Sequence, residues 1–315
     1  MIERPESTRR ARRRLLPAAI LASGLVITGC AGFDTWQRQT IFGVGQDQTR
    51  WYREAPAGTE EYDLTLADGD RIRAWYLAGT RPDAPTVLYL HGTRWNLNNS
   101  VFRVDRLHSL GANVLAIDYR GFGRSTQRLP SEDSAMHDVR AALAELARRQ
   151  PDPSRRFVYG HSLGGALAIQ AAAASAEPGF AGLIVESTFT SIADIVTGSR
   201  WGWIPGLTWL ISQRFDSATR IAAVRIPVLF IHGTADSIVP SSMSEKLYKA
   251  AGAVPPGFKE LLLIDGGSHS GASRIDPTTY NRAMRGFMQR AGDFAAARTT
   301  TPPLAGHPDE LAKHR

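Results

Sequence analysis

An α/β fold is what this sequence predicts: a mostly parallel central sheet, helices on both faces and a small cap insertion. Three observations predict it. First, six short and nearly continuous apolar runs recur along the chain, at Thr86–Leu90, Asn113–Ile117, Phe157–Tyr159, Gly182–Val185, Val228–Ile231 and Glu260–Ile264. Strands without polar alternation are buried on both faces, as in a parallel sheet. Second, helix-length stretches lie between them, among them Ser131–Arg149, Leu163–Ala176, Ser241–Ala251 and Asp276–Gln289. Strands alternating with helices pack as covered layers. Third, the 315 residues are 43% hydrophobic and 21% charged with a single cysteine, which excludes a disordered chain and a disulfide scaffold. The length suits one domain of roughly 230–250 residues plus ends.

The elements follow in order. Residues 1–29 read as a signal peptide, with a basic run at Arg9–Arg14 and then an apolar run from Leu15 to Ile27 that is too short for a lasting membrane span. They carry six arginines against Glu3 and Glu6, and without them 31 basic and 28 acidic residues remain. The formal charge thereby drops from +7 to +3, so the excess belongs to the leader and not to a nucleic-acid-binding surface. Ile27-Thr28-Gly29-Cys30 resembles a bacterial lipobox, and the only cysteine of the chain falls where lipidation requires it. Acyl chains on Cys30 would anchor the protein to a membrane on the extracytoplasmic side, each buried methylene contributing roughly 0.8 kcal/mol. The alternative is an ordinary signal peptide or an uncleaved anchor with a chance cysteine. A twin-arginine export signal fits the surrounding residues poorly.

Residues 30–60 read as a tether and approach segment whose scattered aromatics, Phe33, Trp36, Phe42, Trp51 and Tyr52, could dock on the domain, and 61–291 as the folded domain. The domain opens with an alternating hairpin, Tyr62–Ala67 and Arg71–Leu77, about the turn Asp68-Gly69-Asp70. That turn does not continue into a twelve-residue calcium loop. Residues 188–225 interrupt the strand–helix rhythm and carry three of the seven tryptophans within nine residues. A small cap over a ligand site fits there, at the strand ends where open sheets bind ligands. Residues 292–315, with Thr299-Thr300-Thr301-Pro302-Pro303, read as a disordered tail. Zinc spacing, a Walker loop and a dinucleotide fingerprint are all missing, so neither cofactor nor metal is expected.

Gly160-His161-Ser162-Leu163-Gly164 matches G-x-S-x-G between an apolar strand and an alanine-rich helix. Nucleophilic catalysis wants that context: a serine at a strained turn, glycines where the backbone doubles back, and a helix N-terminus to favour negative charge. The bland reading is a glycine-rich packing turn with a bystander serine.

With this motif, His91-Gly92-Thr93, Asp118–Ser125, Glu186–Ser191, Ile231–Pro240 and Gly266–His269, the chain resembles the α/β-hydrolase superfamily over about residues 60–290. It is most similar to the membrane-associated branch described as lysophospholipase-like, depalmitoylase-like or serine-aminopeptidase-like. The resemblance implies a Ser–acid–His order. Ser162 is then the nucleophile, His269 the base in a glycine-rich loop, and Asp236 the orienting acid, with Glu186 as fallback and Asp265 too near His269 in sequence. It also implies an oxyanion hole of backbone amides from Thr93 and Leu163. Thr93-Arg94-Trp95-Asn96 departs from the family's common Asn-Ala-Gly-Asn and bears on substrate preference. His91 and the Asp118 segment read as loop-closing residues. The implied activity is hydrolysis of an ester or thioester of a small-molecule or lipid acyl substrate. Peptidase or amidase chemistry on the same triad, or a non-catalytic envelope scaffold, are the other readings.

Overall fold

A computed structural model of the chain describes residues 31–45, 51–174 and 179–300. The leader, Cys30 and residues 301–315 lie outside the described residues. The described chain opens with helix α1 over 31–42. Strands β1 (Glu60–Thr65) and β2 (Arg71–Leu77) form the hairpin, followed by β3 (Thr86–Leu90), α2 (Val101–Ser109), β4 (Asn113–Ile117), α3 (Glu132–Arg149), β5 (Arg156–His161) and α4 (Leu163–Ala173). Next come β6 (Gly182–Glu186), α5 (Ile192–Thr197), α6 (Ser217–Ile221), β7 (Val228–Gly233), α7 (Ser242–Ala250), β8 (Lys259–Ile264), α8 (Ala272–Ile275) and α9 (Pro277–Thr300).

The sheet has eight strands in the order β1-β2-β4-β3-β5-β6-β7-β8, antiparallel at β1–β2 and β2–β4 and parallel from there on. Because side chains alternate along a strand, β3 feeds two cores. Leu88 and Leu90 pack with Met136, Val139 and Leu167 on one face, and Val87 and Tyr89 with Val104, Met284 and Phe287 on the other. Every residue of β3, β6 and β7 is buried, which is why those segments carry no polar alternation. Their carboxyl ends point to one edge, where the loops gather.

The Asp68–Asp70 turn is a structural lock. Gly69 sits at φ +83°, and Asp68 and Asp70 bond the Arg120 guanidinium at 2.6 and 3.1 Å. Arg120 also meets Asp138 at 2.8 Å. Such charged hydrogen bonds tie the hairpin to α3 and to the loop after β4.

Two expectations need correction. The tether expected over 30–60 begins instead as helix α1, and of the aromatics that could dock on the domain Phe42 does so. Phe42 is fully buried against Phe122 and Phe215, and Gln37 and Arg38 bond the carbonyls of Leu210 and Pro130. Burial of that aromatic ring outweighs the freedom of a linker. The tail expected from residue 292 is helical up to Thr300, where Phe294 packs on Phe258 with ring centres 4.3 Å apart and Ala295 lies against the core that holds Phe287 and Met288.

The connection over 188–225 is a closed excursion between β6 and β7. Ala218 and Ile192 donate backbone bonds to Thr190 and Arg214, and Phe215 donates to Glu132 of α3. It contains α5, α6 and a short 3-10 turn at Leu207–Leu210.

Candidate active site

β5 ends at His161 and α4 begins at Leu163, leaving Ser162 alone to reverse the chain. Its backbone adopts φ 55°, ψ −119°, a sparsely populated region for a residue with a side chain. The turn is held from both sides. The Ser162 amide donates to the Glu186 carbonyl at 2.9 Å, and the Thr188 hydroxyl donates to the Ser162 carbonyl at 2.8 Å. Glycine is required beside it by close approach: a Cβ on Gly160 would overlap the Gly164 carbonyl, and one on Gly164 the Leu90 carbonyl. Strand and helix thus touch backbone to backbone, and the serine is pushed out of the sheet edge.

His269 reaches Ser162 from the loop after β8. Its Nε2 lies 3.1 Å from Ser162 Oγ, and its Nδ1 lies 2.7 Å from Asp236 Oδ2. Facing a carboxylate, Nδ1 carries the proton and donates, while Nε2 is free to accept from the serine hydroxyl. The Asp236 Oδ1 atom accepts the backbone amides of Ile238 and Val239, each at 2.9 Å. Burial opposes ionisation of Asp236, but hydrogen bonds from His232, His269 and the Val239 amide outweigh it and hold the carboxyl below its ordinary range.

Two histidines outside the predicted trio support it. His232 Nε2 faces Asp236 Oδ2 at 3.1 Å and the Val239 carbonyl at 2.8 Å, so it donates, while its Nδ1 accepts from Ser244 Oγ at 2.6 Å. His161 donates Nε2–H to the His269 carbonyl at 2.9 Å. Burial, with Arg103 and His269 nearby, pushes His161 well below its ordinary value, so it stays neutral. Sequence reading passed both over: His161 is the free x of G-x-S-x-G, and His232 is an apolar strand's last polar residue. Only the register that brings the ends of β5, β7 and β8 together assigns them work.

The loop after β3 passes directly over the serine, for a Cβ on Gly92 would lie 3.1 Å from Ser162 Cβ. Thr93 follows it, and neither its amide nor that of Leu163 meets a protein acceptor among the described residues. Arg94, at φ 67°, donates its amide to the Phe42 carbonyl at 3.0 Å, so α1 ends against this loop. The loop's far side rests on Asp118, whose Oδ1 accepts the Leu97 amide at 2.8 Å. Burial pushes Asp118 up to about 7 and His91 down to about 4, so this close pair is driven toward neutrality. Both are fully enclosed and act as loop supports, as the sequence suggested.

The structure therefore brings Ser162, His269 and Asp236 into one hydrogen-bonded relay. It does not bring in Glu186, the fallback acid. That carboxylate accepts the hydroxyls of Tyr159 and Tyr280 and faces Arg103 at 3.7 Å, away from His269. Cys30 lies outside the described residues. Among the described residues no group of three or more potential metal ligands clusters, and no helix is long and apolar enough to cross a membrane.

Comparison with known proteins fits this geometry. A family model described as serine aminopeptidase, S33, matches residues 81–219. The chain is 32% identical to the uncharacterized protein YfhR of Escherichia coli (strain K12) over 247 residues, covering 76% of this chain and 84% of that one. It is 29% identical to the lysophosphatidylserine lipase ABHD12 of Danio rerio over 194 residues, covering 56% of this chain and 50% of that one. Among solved structures, the Pyrococcus furiosus esterase Pf2001 has the same fold. The TM-score is 0.60 at 20% identity, covering 74% of this chain and 90% of the other.

Proposed function

The chain belongs to the α/β-hydrolase superfamily, being 30% identical over 253 residues to the alpha/beta hydrolase domain-containing protein WAV2 of Arabidopsis thaliana, with 74% of this chain and 81% of that one covered, and from that premise we propose that it is a serine hydrolase. It cleaves carboxylic ester or thioester bonds through an acyl-enzyme, at the cell envelope. One observation carries the reading: the continuous relay from Ser162 Oγ through His269 to Asp236, at 3.1 and 2.7 Å. A serine hydroxyl is a weak nucleophile at neutral pH and needs such a base, oriented by a carboxylate. In the proposed reaction Ser162 Oγ attacks the carbonyl carbon while its proton passes to His269 Nε2. The oxyanion is received by the amides of Thr93 and Leu163, and the start of α4 favours its charge. His269 then returns the proton to the leaving alcohol or thiol. Water, deprotonated by the same histidine, releases the acid. Asp236 stays ionised throughout and stabilises the imidazolium.

The leader and Cys30 support the envelope placement, since basic run, apolar run and cysteine stand in the order a lipoprotein signal needs. Similarity to ABHD12, a lysophosphatidylserine lipase, supports an acyl ester as substrate. The test is a fluorophosphonate probe on the purified full chain beside Ser162→Ala, with acyl esters, acyl thioesters and aminoacyl anilides as substrates. Labelling and ester turnover should both vanish in the variant, turnover by at least about 10⁴-fold. Equal labelling of the two proteins would defeat the serine assignment. Turnover of anilides with none of esters would move the reading to a peptidase.

A further inference from the structure

The connection between β6 and β7 breaks the usual economy of a surface. From Ile195 to Gln213 it contains one charged residue, Arg200, and no acid. Yet its large side chains point outward: Trp209 is 85% exposed, Trp203 77%, Leu210 61% and Trp201 50%. Indole rings belong either in a core or where an apolar phase meets a polar one. Here they stay out of the core although the same stretch buries Ile211.

This face continues onto α1. Ser212 donates its amide to Gln37 and its hydroxyl to Asp34, at 3.1 and 2.6 Å, and Gln37 in turn bonds the Leu210 carbonyl at 3.0 Å. On the neighbouring flank of α1, Phe33 stacks on Trp36, with centroids 5.6 Å apart, and Trp36 is 57% exposed. Residue 31, already helical, stands one position after Cys30 in the sequence, so an acyl chain on that cysteine would be tethered beside this face. The Arg200 guanidinium lies 5.0 Å from the Trp201 ring centre, offering a cation beside the aromatic cluster.

We propose that Phe33, Trp36, Trp201, Trp203, Trp209 and Leu210 form a bilayer-docking face, seating the domain in the headgroup region of a membrane. Three arguments favour a bilayer over a protein partner. In sequence, Cys30 stands three residues before Phe33, so a lipid on it would bring the patch to the membrane. Tryptophan is the side chain enriched at membrane interfaces. From Ile195 to Gln213 the one charge is Arg200, and the acid on the α1 side, Asp34, is engaged by Ser212, Gln213 and Arg38, a balance that suits an anionic lipid surface. The face also fixes orientation. Helix α1, about 18 Å long at 1.5 Å per residue, runs from this face to Arg94 beside the serine, so the entrance is held near the lipid.

The inference takes the membrane location from the preceding section and does not need the triad. Its test uses the full chain reconstituted in phosphatidylcholine–phosphatidylglycerol vesicles containing acyl-brominated phosphatidylcholine. Tryptophan emission should be quenched by the brominated lipid, and the W201F/W203F/W209F variant should lose at least about half of that quenching, as expected for interfacial indoles. Quenching that is absent, or unchanged in the variant, overturns the proposal. So does a lipid-free chain that dimerises and shields these indoles from iodide, because a second copy then covers the face. Palmitate incorporation beside Cys30→Ala reads the anchor separately. Indole-dependent quenching without acylation keeps the face and removes only the lipid anchor. Fluorophosphonate labelling of the same samples reads Ser162 independently.

Discussion

Asp118 illustrates how much a single enclosed carboxyl sets. Burial raises it to about 7, against an ordinary value of 3.8. Between those values the folded chain keeps a proton that the unfolded chain has released, so this group makes stability fall as pH rises through the window. Asp118→Asn keeps an oxygen for the Leu97 amide and has nothing to titrate. Urea midpoints at pH 5 and pH 8 should drop further for the wild type than for this variant; parallel slopes would refute the assignment. Asp236 works in the opposite sense, because its depressed carboxyl contributes stability that is lost on acidification. At this scale the sequence was legible where chemistry is written into spacing. Ser162, Asp236 and His269 follow from a motif and a chain order, and they meet as read. His161 and His232 were not legible, because their partners are a carbonyl and a carboxylate supplied by other strands. The same holds for Glu186: nothing local reveals that two tyrosine hydroxyls and an arginine claim it.

The elements show the same division. Segments whose burial is uniform, such as β3, β6 and β7, announce themselves, since a parallel sheet demands unbroken apolar runs. Helix α3 is marked at its start by Ser131, whose hydroxyl accepts the Ser134 amide at 3.1 Å while Ser134 Oγ accepts the Ser131 amide at 2.8 Å. That reciprocal cap satisfies two amides of the first turn. Ser131→Ala should lower unfolding free energy by about 1 kcal/mol, read from urea midpoints, with fluorophosphonate labelling unchanged. An unchanged midpoint would mean that water serves the turn equally well. Helix α1 and the last turns of α9 were misread for one reason. Each is stabilised by what it lies against, Phe42 by Phe122 and Phe215 and Phe294 by Phe258; aromatic side chains mark that docking is open but not that it winds the segment into a helix.

Across the molecule, α2, β5, β6 and α9 converge on one enclosed polar knot. Arg103 faces Glu186 at 3.7 Å, and Tyr159 and Tyr280 donate to the same carboxylate. Removing one member of a buried pair strands the other charge, so Arg103→Met should cost about 3–5 kcal/mol. The double variant Arg103→Met/Glu186→Gln should recover much of that cost in thermal unfolding. Equal losses in the two would show that Arg103 acts through packing alone. The Ser162–His269–Asp236 relay is built on two bodies. Asp236 and His269 share one of them, because β7 and the loop after β8 cross where a Cβ on Gly233 would overlap the Gly267 carbonyl, and the Ala235 amide bonds that carbonyl at 2.9 Å. The crossing fixes the lengths of both loops, since an inserted residue in either would carry Asp236 or His269 out of register with Ser162. That side of the site is thereby held to one length. Added length is borne more easily by the exposed tip of the connection between β6 and β7, from Trp201 to Leu210, which no such crossing pins.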